Sequence, residues 1–186
     1  MIPALRAIVL RSRQIPSSDS MPRLQAFPPL AFTDAHTLIL GSMPGSASLA
    51  AGQYYAHPRN LFWSFIGEIL GIPAALPYAE RTRRLCAQGF AVWDVLGACR
   101  RAGSLDTSIE QASIEVNDFA AFLAAHSRID RILFNGTAAE RMFRQRVLPT
   151  LPGGRDMHLH RLPSTSPANA SIPYASKLAA WKALQP

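Results

Sequence analysis

Cysteine is scarce in this chain: Cys86 and Cys99 are the only two in 186 residues. Their spacing is not C-x-x-C, so they cannot hold an iron–sulfur cluster alone and they make a poor zinc site. Reduced thiols in a cytoplasmic protein are the expectation. Long apolar runs are missing too, and nothing approaches the ~20 residues of a membrane-spanning helix. The patch Ile8-Val9-Leu10 is short and has no clear small-residue cleavage site after it, so no secretory signal is read. Neither G-x-G-x-x-G nor G-x-x-x-x-G-K-[ST] occurs, which argues against nucleotide binding of those two types. Acidic residues number 12 against 19 Lys and Arg, and no convincing carboxylate pair stands out. His158 and His160 alternate along one segment without a third ligand nearby, so no metal site is expected.

What is present is a foldable, basic chain. Hydrophobic residues make up 48% and the formal net charge is +7, with Arg supplying most of the excess. Arg-rich surfaces suit phosphate contacts, and nucleic acid is the default polyanion; a solvated basic face is the alternative. The length suits one domain with one core. Residues 1–26, with their Arg and Ser clusters and the Pro pair just beyond, read as a flexible N-terminal extension, and Met21 is an alternative start. Residues 27–186 read as the folded domain.

Its centre is Leu38–Trp63, LILGSMPGSASLAAGQYYAHPRNLFW. An apolar run of the buried-parallel-strand kind breaks into Gly41-Ser42-Met43-Pro44-Gly45, delivering loop atoms to the carboxyl edge of a sheet. Gln53, Tyr54, Tyr55, His57, Arg59 and Asn60 follow closely, too many polar groups for a core segment. Further strands are read at Phe90–Leu96, Arg131–Phe134 and His158–Leu162. Helices are read over Asn60–Leu70, Pro77–Gln88, Asp118–His126, Ala138–Val147 and Tyr174–Leu184, with Cys99–Ser113 as a polar loop. Strands alternating with helices predict an α/β chain: a three-layer α/β/α sandwich around a central four-stranded parallel sheet. The loops GSMPG, GACRRAGS, NGTAA and PSTSPAN then gather along one sheet edge.

GSMPG…QYYAHPRNLFW near the start and LPSTSPAN near the end resemble the uracil-DNA glycosylase superfamily, most closely its hypoxanthine-DNA (deoxyinosine) glycosylase branch, the sixth family. The first stretch is similar also to the mismatch-specific uracil/thymine glycosylases, with their G-I-N-P-G loop and F-A-H-P-x-N-x-F-W segment. The resemblance spans roughly Phe27 to Trp181. Two departures stand out. Met43 occupies the position where most of the superfamily carries a water-positioning Asn or Asp, and Leu162 the position of the His that steadies departing uracil in the best-known uracil enzymes.

The resemblance implies a monofunctional DNA glycosylase without metal or organic cofactor, acting as a monomer on DNA that contains deaminated bases. Asn60 is the implied water-positioning residue; capping the following helix is its alternative. Tyr55 is implied to stack on a flipped base. Gly41, Ser42, Met43, Pro44 and Gly45 shape the pocket floor. Gln53 either reads a base edge or completes the loop, and Asn135 either pairs with the base or forms an ordinary Asn-Gly turn. His57 supports the loop. Ser164, Thr165, Ser166 and Pro167 form a minor-groove loop, with Arg100 and Arg101 as phosphate contacts. A mismatch-specific uracil/thymine enzyme and a non-catalytic lesion-binding protein of the same fold are the rival readings.

Overall fold

A computed structural model describes residues 21–153 and 156–185; the expectations for residues 1–20 lie outside the described residues. In chain order the elements are β1 (Arg23–Gln25), β2 (Thr37–Gly41), α1 (Ser46–Ala51), α2 (Phe62–Leu70), α3 (Tyr78–Ala87), β3 (Phe90–Asp94), β4 (Leu96–Arg100), β5 (Glu115–Val116), α4 (Phe119–Ala125), β6 (Arg131–Asn135), α5 (Thr137–Met142), β7 (His158–Leu162) and α6 (Tyr174–Trp181).

Four strands pair in parallel in the order β3-β2-β6-β7. Every residue of β2 and β3 is buried, as expected of central strands covered on both faces. Neighbouring positions in register share a face. On one face Leu40, Trp93 and Phe134 lie side by side; there Trp93 packs on Phe119 and Phe122 of α4, and Phe134 on Phe143. On the other face, Arg131 donates to the carbonyls of Ala183 and Leu184, at the end of the α6 segment. Trp181 there meets Phe62 and Phe65 of α2 edge-on and tilted. These are the three layers that the strand–helix alternation predicts.

Local chemistry explains the ends. Asp118 caps α4, its carboxylate accepting from the Ala121 N–H, which satisfies an orphan donor of the first turn. Gly71 ends α2 in the left-handed region. The α5 segment relaxes at Phe143–Val147 into a single π-helical stretch.

One layer departs from expectation. After Asp94 the chain leaves the parallel sheet, and β4 pairs antiparallel with β1 and β5 in a second, three-stranded sheet. Part of the stretch read as a polar loop is therefore strand. Arg23–Gln25 belongs to the folded unit, ahead of the expected boundary at residue 27. This sheet carries the chain back beneath the first loop, and it positions the site.

Candidate active site

The carboxyl ends of all four parallel strands open on one cleft of about 150 Å³. At ~30 Å³ per water that is room for about five waters, the scale of a single heterocycle. The β2 loop supplies Gly41 through Gly45, the segment before α2 supplies Tyr55, His57 and Asn60, β6 ends in Asn135, and Ser164 to Pro167 follow β7. Gln53, Arg100 and Arg101 are not among the lining residues.

The loop after β4 cradles the first loop. The Ser42 hydroxyl donates to Asp106 at 2.8 Å, and the Ser46 N–H donates to the Ser104 hydroxyl at 2.9 Å. Arg101 completes this cradle and corrects the expectation of a phosphate contact: it is 1% exposed and donates to the carbonyls of Pro44 and Gly103. An Arg drawn inward to pin two loop carbonyls has no guanidinium left at the surface for DNA. Arg100 stands on β4, partly exposed, with its N–H given to Ser113.

The final loop is held from below. Trp181 donates its indole N–H to the Pro163 carbonyl at 2.8 Å, Lys177 donates to the Asn169 carbonyl, and the Asn169 amide donates to the Ser164 carbonyl. Asn135 and Thr165 exchange two bonds of 2.9 Å, amide to hydroxyl and Thr165 N–H to the amide oxygen. Thr165 is fully buried, which corrects its assignment to DNA contact: its hydroxyl faces Asn135, not solvent. Ser164, Ser166 and Pro167 remain partly exposed at the cleft mouth. Gly136 makes this junction possible. Its φ is 104°, and a Cβ there would stand 2.8 Å from the Ser164 side chain.

Within the first motif, Asn60 accepts from the Phe62 N–H at 3.0 Å and gives its own N–H to the His57 carbonyl. The Asn60 side chain is therefore fixed at the entrance of α2, which begins at Phe62 rather than at Asn60. His57 Nδ1 accepts from the Arg59 N–H. Tyr55 has φ 57°, the only non-glycine with positive φ among the described residues, a conformation costing of order 1 kcal/mol for an L-residue. Its ring stacks on Phe62 with centroids 3.9 Å apart, so one face is already occupied.

Two polar atoms in this cleft have no partner: the Tyr55 hydroxyl and Asp94 Oδ2 are buried without a hydrogen bond. Asp94, at the carboxyl end of β3 and 3% exposed, lines the cleft. Burial first, and the neighbouring Asp106 second, push its carboxyl up to about 8, against a smaller opposing pull from Arg101. Burial first and Asp94 second also push the Tyr55 phenol up; Asn135 acts against that shift without forming a hydrogen bond of good geometry. Burial likewise raises Asp106, opposed by its bond from Ser42. Sequence reasoning missed Asp94 as a site residue. The available signal was a lone acid inside FAVWDVL, where an apolar strand gives a carboxylate no solvent.

Among the described residues no helix is long and apolar enough to cross a membrane, and no three His, Cys, Asp or Glu gather as a metal site.

Two loops of defined sequence, meeting over the carboxyl edge of a parallel sheet around a buried ring and an anchored amide, identify the class. The chain belongs to the uracil DNA glycosylase superfamily, whose model matches residues 28–185. It is 37% identical over 113 residues to a hypoxanthine DNA glycosylase of Methanosarcina barkeri, covering 60% of this chain and 70% of that one. To a hypoxanthine DNA glycosylase of Methanosarcina acetivorans it is 33% identical over 116 residues, covering 62% and 72%. It is also similar to a solution NMR structure from Methanosarcina acetivorans, provisionally named a uracil DNA glycosylase. The TM-score there is 0.71 at 28% identity, over 88% of this chain and 96% of that one.

Proposed function

We propose that this chain, a DNA glycosylase acting on deaminated bases, takes hypoxanthine as its preferred base and works as a cytoplasmic monomer. The observation that carries the reading is the anchored Asn60 at the mouth of a base-sized cleft. The Phe62 N–H takes one lone pair of the Asn60 carbonyl oxygen, leaving the second to orient water. Flipping brings the nucleotide out of the duplex, at a cost of a few kcal/mol. The base enters against the free part of the Tyr55 ring, worth about 1–3 kcal/mol in stacking.

The oriented water then forms its O–C1′ bond as the C1′–N9 bond breaks. The electron pair leaves with N9, the water's proton passes to solvent, and an abasic sugar remains. The sugar passes through an oxocarbenium-like state, so a placed water and fixed dipoles supply much of the acceleration. Backbone groups of Gly41 to Gly45 form the floor, Asn135 sets the final loop through Thr165, Ser164, Ser166 and Pro167 meet the DNA backbone, and Arg100 contacts phosphate from β4. The mechanism calls for no cofactor.

Single-turnover cleavage of inosine- and uracil-containing duplexes, with alkali to reveal abasic sites, tests the reading. Inosine is expected to react faster, and Asn60→Ala to slow the reaction by ~100-fold or more with DNA binding intact. Faster uracil release instead supports a uracil/thymine enzyme. Binding of lesion DNA with no base released supports a non-catalytic binder, the reading favoured by buried Met43 and Leu162.

A further inference from the structure

Tyr55 keeps its left-handed backbone against a penalty, and hydrogen bonds on either side of it oppose relaxation. The peptide before it is held at the Tyr54 carbonyl, which accepts from the Trp63 indole N–H at 3.0 Å. The peptide after it is held at the Ala56 N–H, which donates to the Ser48 hydroxyl at 3.2 Å. Because each trans peptide is a rigid plane, fixing these two planes fixes the φ and ψ of Tyr55 between them. Further back, the Tyr54 N–H donates to the Tyr78 hydroxyl at 2.9 Å. The Tyr54 hydroxyl donates to the carbonyls of Phe27 and Pro28.

Trp63 and Tyr78 come from different helices, α2 and α3, and are themselves locked together. Their rings meet edge-on with centroids 6.0 Å apart. The Arg81 guanidinium lies over both, 4.6 Å from the Trp63 centroid and 5.7 Å from that of Tyr78, where a cation is attracted to the ring faces. Arg81 Nε is buried and makes no hydrogen bond, so ring faces rather than an acceptor receive that side of the group. Neither Trp63 nor Tyr78 is among the residues lining the cleft.

We propose that Trp63 and Tyr78 are positioning residues for base release: gripping Tyr54 at its carbonyl and its N–H, they hold Tyr55 where its ring backs onto Phe62 and faces an incoming base. The inference rests on the glycosylase reading and says how its stacking residue is set. Without the grip, Tyr55 would turn φ by about 120° into the ordinary region. That rotation carries its Cβ, and the ring with it, off the Phe62 face, where the centroids now stand 3.9 Å apart. The base would then have to restore both the backbone and the stack before chemistry, which slows the step without weakening the hold on duplex DNA. Pre-set geometry of this kind is what binding energy otherwise has to supply.

The test is a double-mutant cycle between Tyr78→Phe and Tyr55→Ala, with melting temperature as the folding control. Tyr78→Phe removes one oxygen and keeps the ring, so the packing under Arg81 is retained. Single-turnover release of hypoxanthine at saturating duplex and affinity for lesion-free duplex are both measured. Tyr78→Phe is expected to slow release about tenfold with affinity within about twofold of wild type. In the Tyr55→Ala background there is no ring to place, and the same substitution is expected to cost less than about twofold. A purely structural loss has no reason to depend on the Tyr55 ring. Equal slowing in the two backgrounds, or no slowing when Tyr55 is present, would overturn the proposal.

A second readout needs no activity. The Tyr55 ring protons, assigned by their loss in Tyr55→Phe, carry the upfield NMR shift of a ring stacked on Phe62. In Tyr78→Phe, and in Trp63→Phe, which lacks the indole N–H, the signal is expected to move toward that of an unstacked tyrosine. A signal unmoved in Tyr78→Phe would overturn the proposal. If wild type releases no base, the glycosylase reading fails, and the ring signal alone then decides whether Trp63 and Tyr78 set Tyr55.

Discussion

The rim of the cleft and its floor are built on opposite principles. At the rim the groups that hold the final loop have protein partners: Asn135 with Thr165, Trp181 with Pro163, Lys177 with Asn169. On the floor, Asp94 Oδ2 and the Tyr55 hydroxyl are buried with none, beside a tyrosine backbone in the left-handed region. Satisfied groups fix a loop in place; unsatisfied ones store affinity for something that arrives later. The rim is thus a scaffold and the floor a receptor, and substitutions in the two should differ in sign.

The largest contrast comes from Asp94. Its carboxyl is raised to about 8 in the folded chain, against about 3.9 when unfolded. Between those values the folded state binds the proton and the unfolded state does not, so wild-type stability falls as pH rises from ~4 to ~8 and levels off above. Asp94→Asn removes that slope, and denaturant midpoints near neutral pH should show the variant more stable, by up to about 4 kcal/mol. A variant less stable than wild type would mean that Asp94 is already satisfied in the free protein.

On the rim the sign reverses. Asn135→Ala removes both hydrogen bonds between Asn135 and Thr165 and is expected to cost about 2 kcal/mol, with base release slowed because the final loop is less firmly fixed. Urea unfolding together with single-turnover rates checks both effects. Trp181→Phe keeps an aromatic in the core but deletes the bond to the Pro163 carbonyl and leaves a cavity where the fully buried indole stood, for about 2 kcal/mol together and a lower melting temperature.

The smallest expected effect sharpens the comparison most. Tyr55→Phe deletes a buried hydroxyl that has no partner, so it should leave stability unchanged or raise it by under ~1 kcal/mol. Tyr78→Phe deletes one that accepts from the Tyr54 N–H at 2.9 Å and should lower stability by about 1 kcal/mol. Melting the two variants side by side would break the scaffold–receptor distinction if they shift alike.

Legibility from sequence followed the same division. Three of the parallel strands were readable as short, largely apolar runs, and the fourth, His158–Leu162, by its apolar alternation before a Pro; the cleft loops were readable because their residues follow those ends. Hidden features were those where one residue type serves two environments. Arg101 read as surface charge, since nothing in the Arg100-Arg101 pair tells which guanidinium turns inward to Pro44. Thr165 read as one hydroxyl among three, yet it alone sits opposite Asn135. The strand β4 went unread because Leu96–Arg100 pairs with residues distant in sequence, Arg23–Gln25 and Glu115–Val116, and pairing partners leave no local periodicity. Asp94 was passed over because it closes a strand whose other residues are core.

Gly41 carries a consequence for how this chain can vary. The space that a side chain would need there is filled by the Asp94 carboxyl, so neither position is free to change alone in one direction. In a library randomised at both codons, alanine or serine at 41 should survive only alongside a residue at 94 too small to reach it, while glycine at 41 should accept Asp or Asn at 94. Selection for base release would keep the glycine–acid pair together, and the two positions would be inherited as one unit of variation.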